Sequence, residues 1–250
     1  MSMTESEWLT STDPEPMLKF LGKKASDRKV RLFAVACCRR VWASLEHEEF
    51  RDAVEKAEAF ADGLINKAEL LEAHMKANLV FRDLHDGKDN GPGAALTASG
   101  FPGPKKSIFV RIVDALDDPW WEDEFDKGDR LAPAIVTAQH AGRAAATLAG
   151  HRISLNSPAR IAEHREQAHL VRCFFGNPFR PRPTRGDWLT PEISMLADRI
   201  YAERAFDRMP LLADALLASG CTTADLIDHC RAGSEHARGC WAVDLLLGKE

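Results

Sequence analysis

One stretch constrains the fold more than any other. From Asp27 to Leu45 the apolar positions are Val30, Phe33, Ala34, Cys37, Cys38, Val41, Trp42 and Leu45. They recur at i, i+3, i+4, i+7 and i+8, the period of a helix burying one face. Leu32, Val35 and Ala36 widen that stripe, so the helix should sit at the centre of whatever it packs against. Ser26 or Asp27 can cap its start. Lys29, Arg39 and Arg40 occupy its remaining face. A chain with such an element must supply other helices to cover it.

The rest of the sequence does so. Asp13-Pro14 reads as an N-cap and first-turn proline opening a short helix through Met17, Leu18, Phe20 and Leu21. A helix from about Phe50 to Leu64 carries Phe50, Ala53, Val54, Ala57, Phe60, Ala61 and Leu64 on one side. Another covers roughly Lys67 to His85. Later, periodicity resumes at Ile108, and the Ala-rich span Leu131 to Gly150 suits close helix packing. Ser157-Pro158 opens a helix through Ile161, Ala168, Val171 and Phe175 that stops at Gly176. Four short helices follow. The first opens at Thr190-Pro191, the second near Pro210, the third at a Thr222/Asp225 pair resembling a capping box, and the last spans about Cys240 to Leu247. No segment alternates over strand length with β-branched content. The expected fold is all-α, a multi-helix bundle of about ten helices.

Between residues 87 and 104 the sequence GKDNGPGAALTASGFPGP holds five Gly and three Pro. Such a run cannot hold a helix and marks an internal boundary. It divides the chain into an N-terminal helical subdomain (1–86), a flexible, protease-sensitive loop (87–104) and a C-terminal helical subdomain (105–250), which pack as one domain or as two.

Composition narrows function by exclusion. The chain of 250 residues is 45% hydrophobic and 28% charged, with a formal net charge of −5. That balance disfavours a generally basic nucleic-acid binder. No apolar run approaches a membrane span, and the acidic, polar N-terminus is no secretory signal. Six dispersed cysteines without a signal segment read as free thiols in a reducing cytoplasm. Cys37 and Cys38 fall inside the apolar stripe and should be core residues. No phosphate-binding glycine loop, nucleophile elbow or catalytic triad signature occurs.

Four segments could still carry chemistry. Cys221, His229, Cys230, His236 and Cys240 crowd into twenty residues. Cys221, Cys230, His236 and Cys240 make a C-x8-C-x5-H-x3-C set able to hold zinc. The set lacks a C-x2-C knuckle, and Cys230 and Cys240 also fit apolar helix faces, so no metal and no cofactor is assigned. Glu166-x-x-His169 matches one carboxylate–imidazole unit of a di-iron bundle, but no second follows, and a polar surface helix accounts for it. The run DDPWWEDEFDKGD, with eight acidic residues between Asp114 and Asp129, reads as a solvated loop pinned by its tryptophans.

The fourth is FGNPFRPRP, Phe175 to Pro183. Prolines at 178, 181 and 183 hold it extended, with Arg180, Arg182 and Arg185 alongside. Phe179 is expected to plug the core, leaving those arginines to face a partner. Residues 160–185 hold six Arg against two Glu. A nucleic-acid role through them is the least favoured reading, because the adjacent TTADLIDHCR carries Asp225 and Asp228 and would repel phosphate.

EWLTSTDPEPMLKFL and SDRKVRLFAVACCRRVW at one end, with FGNPFRPRP, IYAERAFDRMPLLADALLASGC and GCWAVDLLLGKE at the other, resemble an uncharacterised protein family abundant in planctomycete bacteria. Within them, RMPLLADALLASGCTTADLIDHCR is similar to the helical repeat-companion segment of the same bacteria. Asp214 matches, while Leu212 and Ala215 stand where Tyr and Trp are usual. The resemblance implies a bacterial, cytosolic, all-helical protein and carries no catalytic residue. The function expected from the sequence is a non-enzymatic helical interaction module with a protein partner, and a zinc domain or zinc enzyme is the alternative.

Overall fold

The computed structural model describes residues 2–86, 135, 138, 139, 141 and 157–249. Among these residues lie ten α-helices and no strand, so the chain is all-α. The helices are α1 (Glu5–Thr10), α2 (Pro14–Leu21), α3 (Asp27–Arg40), α4 (Glu48–Ala61), α5 (Lys67–Asp86), α6 (Pro158–Phe175), α7 (Pro191–Glu203), α8 (Met209–Ala218), α9 (Ala224–Arg231) and α10 (Trp241–Leu247). No helix among them is long and apolar enough to cross a membrane. The glycine- and proline-rich boundary at 87–104, the acidic run and the Ala-rich span lie outside the described residues.

Two compact units emerge. One comprises Met1–Lys29 with Glu166–Glu250, and the other Val30–Arg165. In the second, α3 carries the first part of the expected stripe, with Val30, Phe33, Ala34, Cys37 and Cys38 buried, but it stops at Arg40 rather than running to Leu45. A single 3-10 turn at Trp42–Ser44 follows, with Val41 and Leu45 buried on either side of it and Trp42 only half-buried. Desolvation pushes the Cys38 thiol far above its ordinary range. The polar face of α3 is consumed by carboxylates. Arg39 donates to Glu58 at 2.9 Å, and Arg40 closes on both oxygens of Glu163 at 2.9–3.1 Å. Both glutamates are nearly inaccessible. These two arginines therefore act as internal ties.

α4 packs against α5 and buries Phe50, Ala53, Val54 and Ala57. Leu64 does not join that face, being 71% exposed. The reason is a helix stop two residues earlier. Gly63 adopts φ +69°, its N–H bonds the Phe60 carbonyl, and the Leu64 N–H bonds Ala59. Those are the two hydrogen bonds of a Schellman turn, which reverses the chain.

The terminal unit begins with a helix that the sequence reading missed. Thr4 accepts from the Glu7 N–H while Glu7 returns to the Thr4 N–H, a complete capping box that opens α1. α1 buries Trp8, whose indole donates to the Gly176 carbonyl at 3.1 Å. α6 ends there, where Gly176 takes φ +64°. A side chain at that position would also meet the Trp241 ring at 3.5 Å. Ile161, expected inside α6, is instead 47% exposed. α7 packs on α8 and α10, and α8 on α9. α9 starts one residue later than the Thr222/Asp225 box required. Thr223 is the N-cap, and no side chain caps it.

Candidate metal centre

Three stretches of the terminal unit deliver side chains to one point. Cys173 lies in the last turn of α6, His229 in the last turn of α9, His236 in the connection after it, and Cys240 at the N-cap of α10. That connection needs Gly239, which adopts φ +97°, a conformation nearly closed to side-chain-bearing residues. The Cys240 N–H then bonds the Ala237 carbonyl, and the Cys240 carbonyl accepts from Asp244 to start α10.

The four ligand atoms lie within 4.8 Å of one another. Cys173 Sγ is 3.5 Å from His236 Nδ1, Cys240 Sγ is 3.8 Å from the same nitrogen, and His229 Nε2 is 3.2 Å from Cys240 Sγ. A tetrahedron built from zinc–sulfur and zinc–nitrogen bonds of ordinary length has sulfur–nitrogen edges of about 3.6 Å. The observed edges bracket that value. The second nitrogen of His236, Nε2, faces the Ala232 carbonyl at 3.4 Å. A proton there leaves the Nδ1 lone pair directed at the cluster, as metal-bound histidines require.

Electrostatics at the centre favour a cation. Cys173, His236 and Cys240 are buried, and His229 is half-buried beside the Trp241 ring, 5.1 Å away between centroids. Burial pushes the Cys173 thiol well up, and its contact with Cys240 adds to this. Burial would raise Cys240 too. The hydrogen bond with Cys173 and the neighbouring His229 and His236 overcome it and hold that thiol well below its usual range. His236 is raised despite desolvation, by its bond to Cys240. Two sulfurs and two imidazoles converge on one point, a donor set that a divalent ion would satisfy.

The set differs from the one the sequence suggested. His236 and Cys240 belong to it, while Cys221 and Cys230 do not. Cys230 is fully buried on the side of α9 that also buries Leu226 and Ile227, and desolvation pushes its thiol far up. Its neighbour His229 points about 100° away, as successive residues of a helix do, and so reaches the cluster. Cys221 is a core residue just past α8. Cys173, far from the others in sequence, has no spacing rule that could reveal it.

The sequence-derived partner residues lie on the surface, but two are already engaged. Arg180 bonds Glu5 at 2.9 Å and Asp225 at 2.7 Å, and Arg185 donates to the Leu245 carbonyl at 2.8 Å. Arg182 makes no hydrogen bond or ion pair to any described residue. Phe179 does not plug the core. It is 38% exposed and stacks on Phe20 with centroids 5.1 Å apart and planes 9° from parallel. Prolines on both sides hold the backbone at the surface, so the ring can only lie flat upon it. Glu166 and His169 face each other at 3.8 Å on the exposed side of α6, and no second such unit occurs among the described residues.

Comparison with protein-family models, with curated proteins and with solved structures returns no match.

Proposed function

We propose that this chain is a non-enzymatic helical interaction module whose terminal unit is organised by a structural zinc ion held by Cys173, His229, His236 and Cys240. The convergence of these four side chains carries the reading. Two thiolates and two imidazoles are the donors that a single tetrahedral zinc prefers. Four protein ligands fill its coordination shell. A catalytic zinc keeps one position open for water or substrate, so the zinc-enzyme alternative has less support.

The ion would tie the end of α6 to the α9–α10 connection, residues distant in sequence. Metal affinity there becomes folding free energy. All six cysteines are free and buried, which fits the reducing cytoplasm of the bacterial family that both ends resemble. Arg182 is the arginine best placed to meet a partner. The nucleic-acid reading weakens, because Arg172 is spent on the Trp8 and Ser11 carbonyls and Arg180 on carboxylates.

Elemental analysis of protein purified without added metal or chelator tests the metal reading. Stoichiometric zinc, with release coupled to loss of helicity in the terminal unit, is the expected result. A metal-free protein that folds fully and stays metal-free when offered zinc would refute it.

A further inference from the structure

A second feature of the terminal unit does not involve the metal ligands. A cavity of about 330 Å³ lies beside the extended strap and is bounded by Lys24, Ser26, Lys29, Asn177, Arg180 and Arg182 among its polar residues. Four of these are cations, and no carboxylate lines the space. Its size is that of a small-molecule site.

The charges are not all compensated from within. Arg180 is balanced by Glu5 and Asp225. Lys29 and Arg28 share the carboxylate of Asp244, at 2.5 and 2.8 Å. Lys29 is only 3% exposed, and two of its three hydrogens are taken by Asp244 and the Gly239 carbonyl. Among the described residues Lys24 has no ion pair and lies over the Phe20 ring, 5.6 Å from its centroid. Arg182 has no partner among the described residues. Two cations without an ion pair among the described residues, Lys24 and Arg182, therefore border the cavity together with the buried Lys29. The Ser26 hydroxyl, which accepts from the Lys29 N–H, has its proton left to donate.

We propose that this cavity binds the phosphate group of a small phosphorylated molecule. A phosphate monoester carries about −1.5 to −2 charges at neutral pH and three acceptor oxygens pointing in different directions. Ammonium groups from two lysines, a guanidinium fork and a hydroxyl suit such a tetrahedral acceptor, whereas a planar carboxylate offers two oxygens. Arg182 also lines a neighbouring cavity of about 370 Å³, with Lys29, Arg185, Trp241, Lys249 and the lysine-paired Asp244 around it, which gives the uncharged part of the molecule room beside an indole ring.

Isothermal titration of the full-length, metal-replete chain at low ionic strength tests this, with inorganic phosphate, glycerol 3-phosphate and succinate as probes. Both phosphates should bind saturably, and succinate at least about tenfold more weakly. Arg182→Glu and Lys24→Glu should each weaken phosphate binding by about tenfold or more. Neither side chain has an ion pair to lose, so circular dichroism and the urea midpoint should stay unchanged. Arg182→Gln and Lys24→Gln serve if charge reversal disturbs folding. No saturable binding up to about 10 mM phosphate, binding untouched by the variants, or equal affinity for succinate would each overturn the proposal.

Discussion

His229 Nε2 and Cys240 Sγ stand 3.2 Å apart across the connection between α9 and α10. In the proposed zinc site that separation is one edge of the ligand tetrahedron, and Cys173 and His236 would supply the remaining corners. Removing a corner should cost more than losing an outer hydrogen-bond partner, which typically weakens metal binding about 10–100-fold. Cys173→Ser and Cys240→Ser should therefore each lower zinc affinity by more than about 100-fold. Cys221→Ser and Cys230→Ser should retain zinc, because neither sulfur belongs to the set. Competition with a chromophoric chelator measures all four. Equal losses across the four variants would show that the cluster is wrongly drawn.

Asp244 is 2% exposed and takes both Arg28 and Lys29. Arg28 also reaches the Tyr201 hydroxyl at 2.8 Å. Burial pulls the Lys29 ammonium below its ordinary range, opposed by its contact with Asp244. Asp244→Ala removes the buried carboxylate that both cations share and should destabilise by about 3–5 kcal/mol, the usual penalty for breaking a buried pair. Urea unfolding measures it. A cost under about 1 kcal/mol would mean that the site is wetter than its burial implies.

Phe179 should behave as a surface stack. A core phenylalanine loses roughly 3–5 kcal/mol on truncation. An aromatic pair with an exposed partner is worth only about 0.5–1.5 kcal/mol beyond its buried area. Phe179→Ala should fall near the lower range in thermal or urea unfolding. A loss in the upper range would show that the ring seals an interior the exposed surface conceals.

Cys37 and Cys38 should resist thiol reagents until the protein unfolds. Both are fully buried in α3, and the Cys38 thiol is pushed out of the range where thiolate forms. Labelling should track global unfolding as denaturant rises. Fast modification of either thiol in native buffer would contradict this.

The all-helical class and the α3 core were legible because period 3.6 survives in single-residue patterns such as Val30, Phe33, Cys37 and Val41. The carboxylate partners of Arg39 and Arg40 were not. A charged residue on a helix face reads as solvated until the chain brings Glu58 and Glu163 to it. The proposed metal set was half legible for a related reason. His236 and Cys240 sit close in sequence, whereas Cys173 joins through tertiary packing alone. Cys230 and His229 are one residue apart on a helix, a rotation of about 100°, which spacing in the sequence does not resolve into cluster and core. The strap was legible as extended backbone, since proline fixes φ locally, but the destination of Phe179 depended on Phe20.

Glu5 gives the terminal unit a dependence on acidity. Its carboxylate accepts from Asn177 at 2.7 Å and from Arg180 at 2.9 Å. Those bonds, Asn177 first, hold it below its ordinary value. A carboxyl depressed in the folded state binds its proton more readily once unfolded. Its stabilisation is therefore complete above the unfolded value of about 4.3 and is lost as pH falls through the folded one. Glu5→Gln keeps the shape and removes the titration. The difference in unfolding midpoint between wild type and Glu5→Gln should be constant from neutral pH down to about 5, then shrink toward zero below about 4. A difference that widened on acidification would reverse the sign of the shift and break the proposed link between α1 and the strap.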